Sequence, residues 1–461
     1  MVAAGKDEEK GPRYVSTPTP VGETFATIAP GQLSCAASGS APAHGNAHGS
    51  PSPGPFGYAT TLSCRECGHT RDLGPWYACE ECFGPLEVAY ELPRLTRAAI
   101  EAGPRNIWRY ASLLPVPADV AASPNTEPGC TRLVRADNLA RALGMRRLWV
   151  KDDSGNPTHS FKDRVVAVAL AAATTMGFKV LACPSTGNLA NAVAAAAARA
   201  GIRSVVLVPQ DLEQQKIITT AVYGGTFVTV AGSYDDINRL ASELAGEHED
   251  WAFVNVNVRP YYSEGSKTLG YEIAEQLGWR LPEQIVIPVA SGSQLTKIDK
   301  AFTELAKAGL ADEAPYRVFG AQATGCAPVA AAFKAGHDVV RPVKANTIAK
   351  SLAIGNPADG PYVLDVTRRT GGGVEDVSDG EIVSAICLLA ETEGIFAETA
   401  GGVTVATLRK LLAAGRLDPA AETVVINSGD GLKTLDAVAG VARPTAAIMP
   451  SIEAFRQAGL A

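Results

Sequence analysis

Ser154-Gly-Asn-Pro-Thr-His-Ser-Phe-Lys-Asp-Arg164 places turn formers ahead of a lysine, Lys162, that opens a long apolar run. The run predicts a helix over Asp163–Met176, and the β-branched residues just before the turn predict a strand at Arg147–Val150. The same alternation continues outward. Strands are expected at Val180–Pro184, Ser204–Pro209, Thr226–Ala231, Ala252–Val256, Ile285–Val289, Arg317–Ala321 and Thr423–Asn427. Helices are expected between them, at Leu189–Ala200, Tyr271–Leu277, Thr296–Lys307 and Ile382–Glu393. Strand and helix in turn imply right-handed crossovers and parallel sheets covered on both faces, an α/β fold. Roughly 330 residues of this pattern exceed what one core sustains, so two doubly wound lobes with a cleft between them are expected.

Three strand-to-helix turns carry chemistry. A lysine at a helix start, beside free N–H groups and the positive helix end, has a lowered pKa and can attack an aldehyde. The same residues also suit a plain helix start, with Ser160 as N-cap and a solvated Lys162. Pro184-Ser-Thr-Gly-Asn-Leu-Ala190 brings small hydroxyl and amide side chains to the next helix start, a place suited to carboxylate or phosphate, or to nothing but its cap. Ala290-Ser-Gly-Ser-Gln-Leu-Thr296 repeats the theme and offers main-chain donors to a phosphate. The last strand runs into Asn427-Ser-Gly-Asp-Gly-Leu-Lys433, whose glycines let a flat ligand approach. Open α/β sheets bind ligands at the carboxyl ends of their strands, where all of these turns lie.

Composition narrows the class. The net charge of −7 is spread along the chain, which argues against a nucleic-acid partner. The apolar runs are too short to span a bilayer, so no membrane partner is expected, and the absence of a signal pattern predicts a cytoplasmic protein. Residues 1–55 are rich in Pro, Gly, Ser and Ala and are expected to be disordered. Of nine cysteines, four stand as Cys64-x2-Cys67 and Cys79-x2-Cys82. Two such knuckles, each followed closely by a glycine, match a zinc ribbon over residues 56–92, its four thiolates closing a structural zinc site. The ribbon reads as separate from the chemistry, with a role in docking or oligomer contacts. A helical linker around Arg94–Ala102 leads to a catalytic domain over 93–446, with a smaller lobe at about 166–268, and residues 447–461 form a tail.

Five motifs in order, Ser160-Phe-Lys-Asp-Arg164, Ser185-Thr-Gly-Asn188, Ser263-Glu-Gly-Ser-Lys-Thr268, Ala353-Ile-Gly-Asn-Pro357 and Ser428-Gly-Asp-Gly-Leu-Lys433, resemble the threonine synthases, members of the fold-type II (tryptophan synthase β-like) pyridoxal phosphate enzymes. The likeness covers about residues 107–440. It implies Lys162 as the Schiff-base lysine, and Asn188 on the 3′-oxygen of pyridoxal 5′-phosphate. Ser291, Gly292, Ser293, Gln294 and Leu295 would surround the cofactor phosphate, and Ser428 would meet the pyridine nitrogen. Ser185, Thr186 and Gly187 would hold the substrate carboxylate. Two departures stand out: hydroxyls replace the usual Gly-Asn-x-Gly-Asn phosphate loop, and His159 stands where the family usually has Gly, read here as a turn residue.

The resemblance implies conversion of O-phospho-L-homoserine and water into L-threonine and phosphate, the last step of threonine biosynthesis, by γ-elimination and β-hydration. A second anion site must hold the substrate phosphate, and Thr158, Ser160, Arg164 and Lys267 are the candidates by motif. Lys267 reads equally as a helical lysine paired with Glu264 at i, i+3. The alternatives within the fold are a β-replacing enzyme such as cysteate synthase, or a threonine dehydratase. The expected partner is a small-molecule substrate, with a homodimer as the expected assembly.

Overall fold

The computed structural model describes residues 51–460; the expected disorder of residues 1–50 lies outside them. Three sheets organise the chain. A six-stranded sheet has the order Gly373–Val377, Arg317–Ala323, Gln284–Pro288, Glu422–Asn427, Arg147–Asp152, Arg132–Arg135. Its neighbours run parallel except the edge strand Arg132–Arg135, which pairs antiparallel with Arg147–Asp152. A four-stranded parallel sheet has the order Thr226–Val230, Arg203–Pro209, Val180–Pro184, Trp251–Phe253. The third sheet is small and antiparallel: Thr70–Arg71, Ala59–Cys64 and Leu86–Tyr90 carry the paired cysteines.

Helix Lys162–Thr175 is apolar on every face, so it can lie buried along most of its length. Helix Asn188–Ala200 is almost all alanine, the best helix former, and its small faces pack closely on both neighbours. Helix Thr399–Ala413 escapes a reading by propensity, because it is rich in Gly and β-branched residues. Packing decides there: a Cβ at Gly401 would meet Asn427 Oδ1 at 2.3 Å, and one at Gly402 would meet Ile386 Cγ1 at 2.6 Å. The strand expected at Ala252–Val256 stops at Phe253. Its cause is Asn257, whose Oδ1 accepts from Phe253 N at 2.9 Å and whose Nδ2 donates to the Trp251 carbonyl at 3.0 Å. The amide takes the place of a neighbouring strand and turns the chain. The linker helix is shorter than expected, Arg97–Glu101, and the last residues carry a short helix, Ile452–Gln457.

Buried charges brace the packing. Arg164 is wholly buried and meets both oxygens of Asp153 at 2.8 Å and both of Glu272 at 2.7 Å, with Lys151 2.8 Å from Glu272. Arg164→Ala is expected to lower stability by about 3–5 kcal/mol, since two carboxylates lose their shared cation without regaining water. A denaturation midpoint equal to wild type would contradict this.

Candidate active site

The end of strand Glu422–Asn427 pins the lysine turn. Phe161 N donates to the Ser428 carbonyl at 2.8 Å, Asp430 N donates to the His159 carbonyl at 3.1 Å, and Ser160 and Gly429 form an antiparallel bridge. Lys433 Nζ adds a bond to the Thr158 carbonyl at 2.7 Å. His159 adopts φ +61°, a left-handed conformation that explains glycine as the usual choice there, and its exposed ring serves the turn. Ser160 is not the N-cap. The Asp163 carboxylate reaches back instead, accepting from Thr158 N at 2.8 Å and Thr158 Oγ1 at 2.9 Å. That leaves the buried Ser160 hydroxyl without a partner and facing the pocket.

Lys162 opens onto this pocket with no ion pair among the described residues; its amine donates to the Tyr262 hydroxyl at 3.3 Å. Burial pushes the Lys162 ammonium down to about 8, against the pull of the Glu398 carboxylate. Across the pocket, Asn188 Nδ2 donates to Glu398 Oε2 at 2.7 Å and Ser428 Oγ donates to Glu398 Oε1 at 3.0 Å. Glu398 was missed in the sequence. It sits in Ala397-Glu-Thr-Ala400, just before a helix whose composition conceals it, and the acidic residue between small ones was the available signal.

Ser291, Gly292, Ser293 and Gln294 line the pocket floor at the start of helix Ser293–Lys307. Gly292 needs to be glycine: φ is +102°, and a Cβ would meet Asp359 Cβ at 2.9 Å and Val363 Cγ2 at 2.8 Å. Leu295 points its side chain into the core, so only its N–H is on offer. Ser293 Oγ, Gln294 Nε2 and Asn188 Oδ1 are buried without partners. Unsatisfied polar atoms converging on one cavity fit a polar ligand with a phosphate, as pyridoxal 5′-phosphate is.

A wider cleft adjoins the pocket, sharing Lys162, Tyr262, Ser291 and Ser351 with it and lined further by Ser185, Thr186, Arg239, Asn255, Arg259 and Tyr77. Ser185 Oγ accepts from Gly187 N and Ala190 N, both at 2.9 Å, which leaves its own O–H as a donor while Gly187 N–H is spent. Three residues expected at the substrate phosphate lie elsewhere. Arg164 is consumed by Asp153 and Glu272, and Thr158 by Asp163. Lys267 is paired with Glu264 at 2.7 Å, as its spacing allowed, but buried rather than solvated, with Glu304 at 3.0 Å and the Leu113 carbonyl at 2.8 Å.

Away from the pocket, the sulfur atoms of Cys64, Cys67, Cys79 and Cys82 all lie within 4.8 Å of one another. A tetrahedral zinc with bonds of about 2.3 Å sets its sulfurs about 3.8 Å apart. Cys64 to Cys82 is 3.5 Å and Cys67 to Cys79 is 3.7 Å, so the donor set fits the ion.

The lowered Lys162 ammonium makes a pH prediction. Pyridoxal 5′-phosphate added to cofactor-free protein reacts only with the neutral amine, so the rate at which its absorbance shifts should rise with pH to a plateau with a midpoint near 8. A midpoint near 10, the value of a solvated lysine, would show that the amine is not held dry.

Comparison with known proteins identifies the family of the chain. The family described as "Pyridoxal-phosphate dependent enzyme" matches residues 125–429. Threonine synthase of Methanocaldococcus jannaschii is 37% identical over 381 residues, covering 81% of this chain and 93% of the relative. That of Methanosarcina acetivorans is 35% identical over 403 residues, covering 86% and 98%. Among solved structures, the processed form of threonine deaminase isoform 2 from Solanum lycopersicum superposes with TM-score 0.57 at 22% identity, covering 70% of this chain and 86% of that one. Maize serine racemase superposes with TM-score 0.54 at 22% identity, covering 65% and 88%. At that identity the two structures share the fold alone.

Proposed function

We propose, from the premise that this chain belongs to the pyridoxal-phosphate dependent enzymes and within them to the threonine synthase family, that Lys162 is its working amine and O-phospho-L-homoserine its substrate. The observation that carries this reading is the lysine turn: a half-buried amine with no ion pair among the described residues, bonded to the Tyr262 hydroxyl and facing partnerless polar groups at two helix starts. The protein is a lyase, and pyridoxal 5′-phosphate, when bound, would supply the electron sink. Lys162 would hold that cofactor, and its amine, brought down to about 8, is suited to moving protons at Cα and Cβ of the substrate.

The other roles follow from what each group has free. Asn188 keeps a second N–H that would serve the cofactor's 3′-oxygen, and Ser428 would meet the ring nitrogen. The main-chain donors from Ser291 to Leu295, with Ser293 Oγ and Gln294 Nε2, would take the cofactor phosphate. Ser185 and Thr186 take the substrate carboxylate, with Gly187 supplying the sharp turn at φ +120°. The substrate phosphate goes to the wider cleft, whose wall carries Arg259 and Arg239 together with Lys162 and the partnerless Ser351 hydroxyl. Arg259 is held by Asp359 at 2.8 Å, which fixes its direction without closing it off.

Cys64, Cys67, Cys79 and Cys82 hold one structural zinc, and a thiolate set of this kind suits the reducing cytoplasm. No helix among the described residues is long and apolar enough to cross a membrane.

Purified protein loaded with cofactor should release phosphate and L-threonine in equal amounts from O-phospho-L-homoserine. Pyruvate or 2-oxobutyrate as the main product would overturn the assignment. Elemental analysis should find about one zinc per chain, falling to near zero in Cys64→Ser/Cys79→Ser; the same metal content in that variant would place the zinc elsewhere.

A further inference from the structure

The four-cysteine module enters the cleft that its sequence kept it apart from. Between its two knuckles the chain folds back on itself: Trp76 Nε1 donates to the Asp72 carbonyl at 3.1 Å, and the Arg71 guanidinium lies 3.6 Å from the Trp76 ring centre. The Tyr261 hydroxyl donates to the Gly74 carbonyl at 3.2 Å and anchors this loop from the catalytic side. The result is Tyr77, carried next to Trp76, in the wall of the wider cleft with Lys162, Arg259 and Ser351. It is 54% exposed and lines the same cleft wall as Arg259.

One short helix connects these parts. Within Arg259–Glu264, Arg259 faces the cleft, Tyr261 holds the module's loop and Tyr262 touches Lys162. Glu264 receives Tyr90 of the module at 2.6 Å, together with Lys267 at 2.7 Å and Lys297 at 2.7 Å. Glu87 of the module adds Lys297 at 2.6 Å. The strand that carries Tyr90 and Glu87 is therefore fixed to the core by buried charge, whereas the loop that carries Tyr77 is held by Tyr261 and by exposed contacts of its own, Glu80 with Arg71 at 3.4 Å and with His69 at 3.3 Å, between Cys67 before it and Cys79 after it. A metal ion joining those two cysteines removes the freedom of the loop between them.

We propose that Tyr77 recognises the phosphate end of the substrate, and that the four-cysteine module, closed by its metal, is the device that holds it there. This rests on the threonine synthase reading, which puts a doubly charged phosphate beside Arg259. A phenol has few torsions to freeze, and its O–H gives a strong charge-assisted bond to such an anion. In a chain of net charge −7 that recognition has to be local. The module thus acts on substrate affinity, and the proton transfers at Lys162 proceed without it.

The test uses the loaded enzyme, O-phospho-L-homoserine as substrate and inorganic phosphate as a competing probe. Tyr77→Phe keeps the ring and its packing and should raise both KM and the inhibition constant of phosphate about tenfold, the worth of one bond to a charged group. Its kcat and cofactor absorbance should stay close to wild type. Stripping the metal from wild type with a chelator should raise the phosphate constant to a similar degree, and stripping it from Tyr77→Phe should add nothing further. The proposal is overturned if Tyr77→Phe keeps wild-type constants, if metal removal weakens phosphate equally in both proteins, or if it abolishes the cofactor absorbance and so marks the module as a support of the fold. A wild type that releases no phosphate from O-phospho-L-homoserine would instead defeat the reading beneath it.

Discussion

The bond from Phe161 N to the Ser428 carbonyl, 2.8 Å long, fixes where the chemistry happens. It ties the first turn of the lysine helix to the carboxyl end of a central strand some 270 residues later in the chain. With Asp430 N on His159 and Lys433 on Thr158, it forces residues 158–163 to cross the strand end instead of following their own strand. Lys162 is thereby aimed into the sheet's crevice, and Ser428 arrives beside it for the same reason. The left-handed His159 is the strain that this crossing costs, about 1 kcal/mol for a residue other than glycine.

Around that point the protein sorts its cations into two kinds. Lys151, Arg164, Lys267 and Lys297 are buried, and each meets a carboxylate within 3 Å. Such groups are spent on the charge balance of buried carboxylates, and moving any of them towards a ligand would strip part of that balance. Lys162 is the other kind, half-buried against Tyr262 with no carboxylate at close range, and desolvation drives its ammonium down to about 8. Nearness in motif does not separate the two kinds. Arg164 stands two residues from Lys162 and still points to the opposite side of the helix, towards Asp153 and Glu272.

The alternation of strand and helix was legible in the residues because parallel strands buried on both faces read as short β-branched runs, and the turns after them read from their Ser, Thr and Gly. Strand Gly373–Val377 was not, since Glu375 and Asp376 interrupt it; Glu375 is spent on Arg416 at 3.2 Å and Asp376 on Thr324 at 2.7 Å. Strand Arg132–Arg135 is half-exposed at an edge and antiparallel, outside the pattern of the rest. At the site, the residues on turns could be read from local sequence, while Thr158, Arg164 and Lys267 could not be placed. The carboxylates that take Arg164, and the Glu304 that joins Glu264 on Lys267, lie on other elements, where only the packing decides the pairing, while Thr158 goes to Asp163 of its own turn. The same holds for Tyr77, whose route to the cleft passes through Tyr261 and Gly74.

Glu398 shows what such a hidden group changes. A serine at the end of the last strand, taken alone, is a neutral donor for whatever ring atom meets it. Here its proton is committed to Glu398 Oε1 at 3.0 Å, and Asn188 spends one N–H on the other oxygen of the same carboxylate at 2.7 Å. A hydroxyl whose proton is engaged behind it turns its lone pairs to the pocket, so Ser428 faces a ligand as an acceptor. The carboxylate lies against the Gly429 backbone, where a Cβ would stand 2.8 Å from it, so residue 429 has to be glycine for Glu398 to sit there. Two side chains that the motifs treat as independent are thus joined through a third. The character of the strand end, donor or acceptor, is set by a glutamate on the loop before helix Thr399–Ala413.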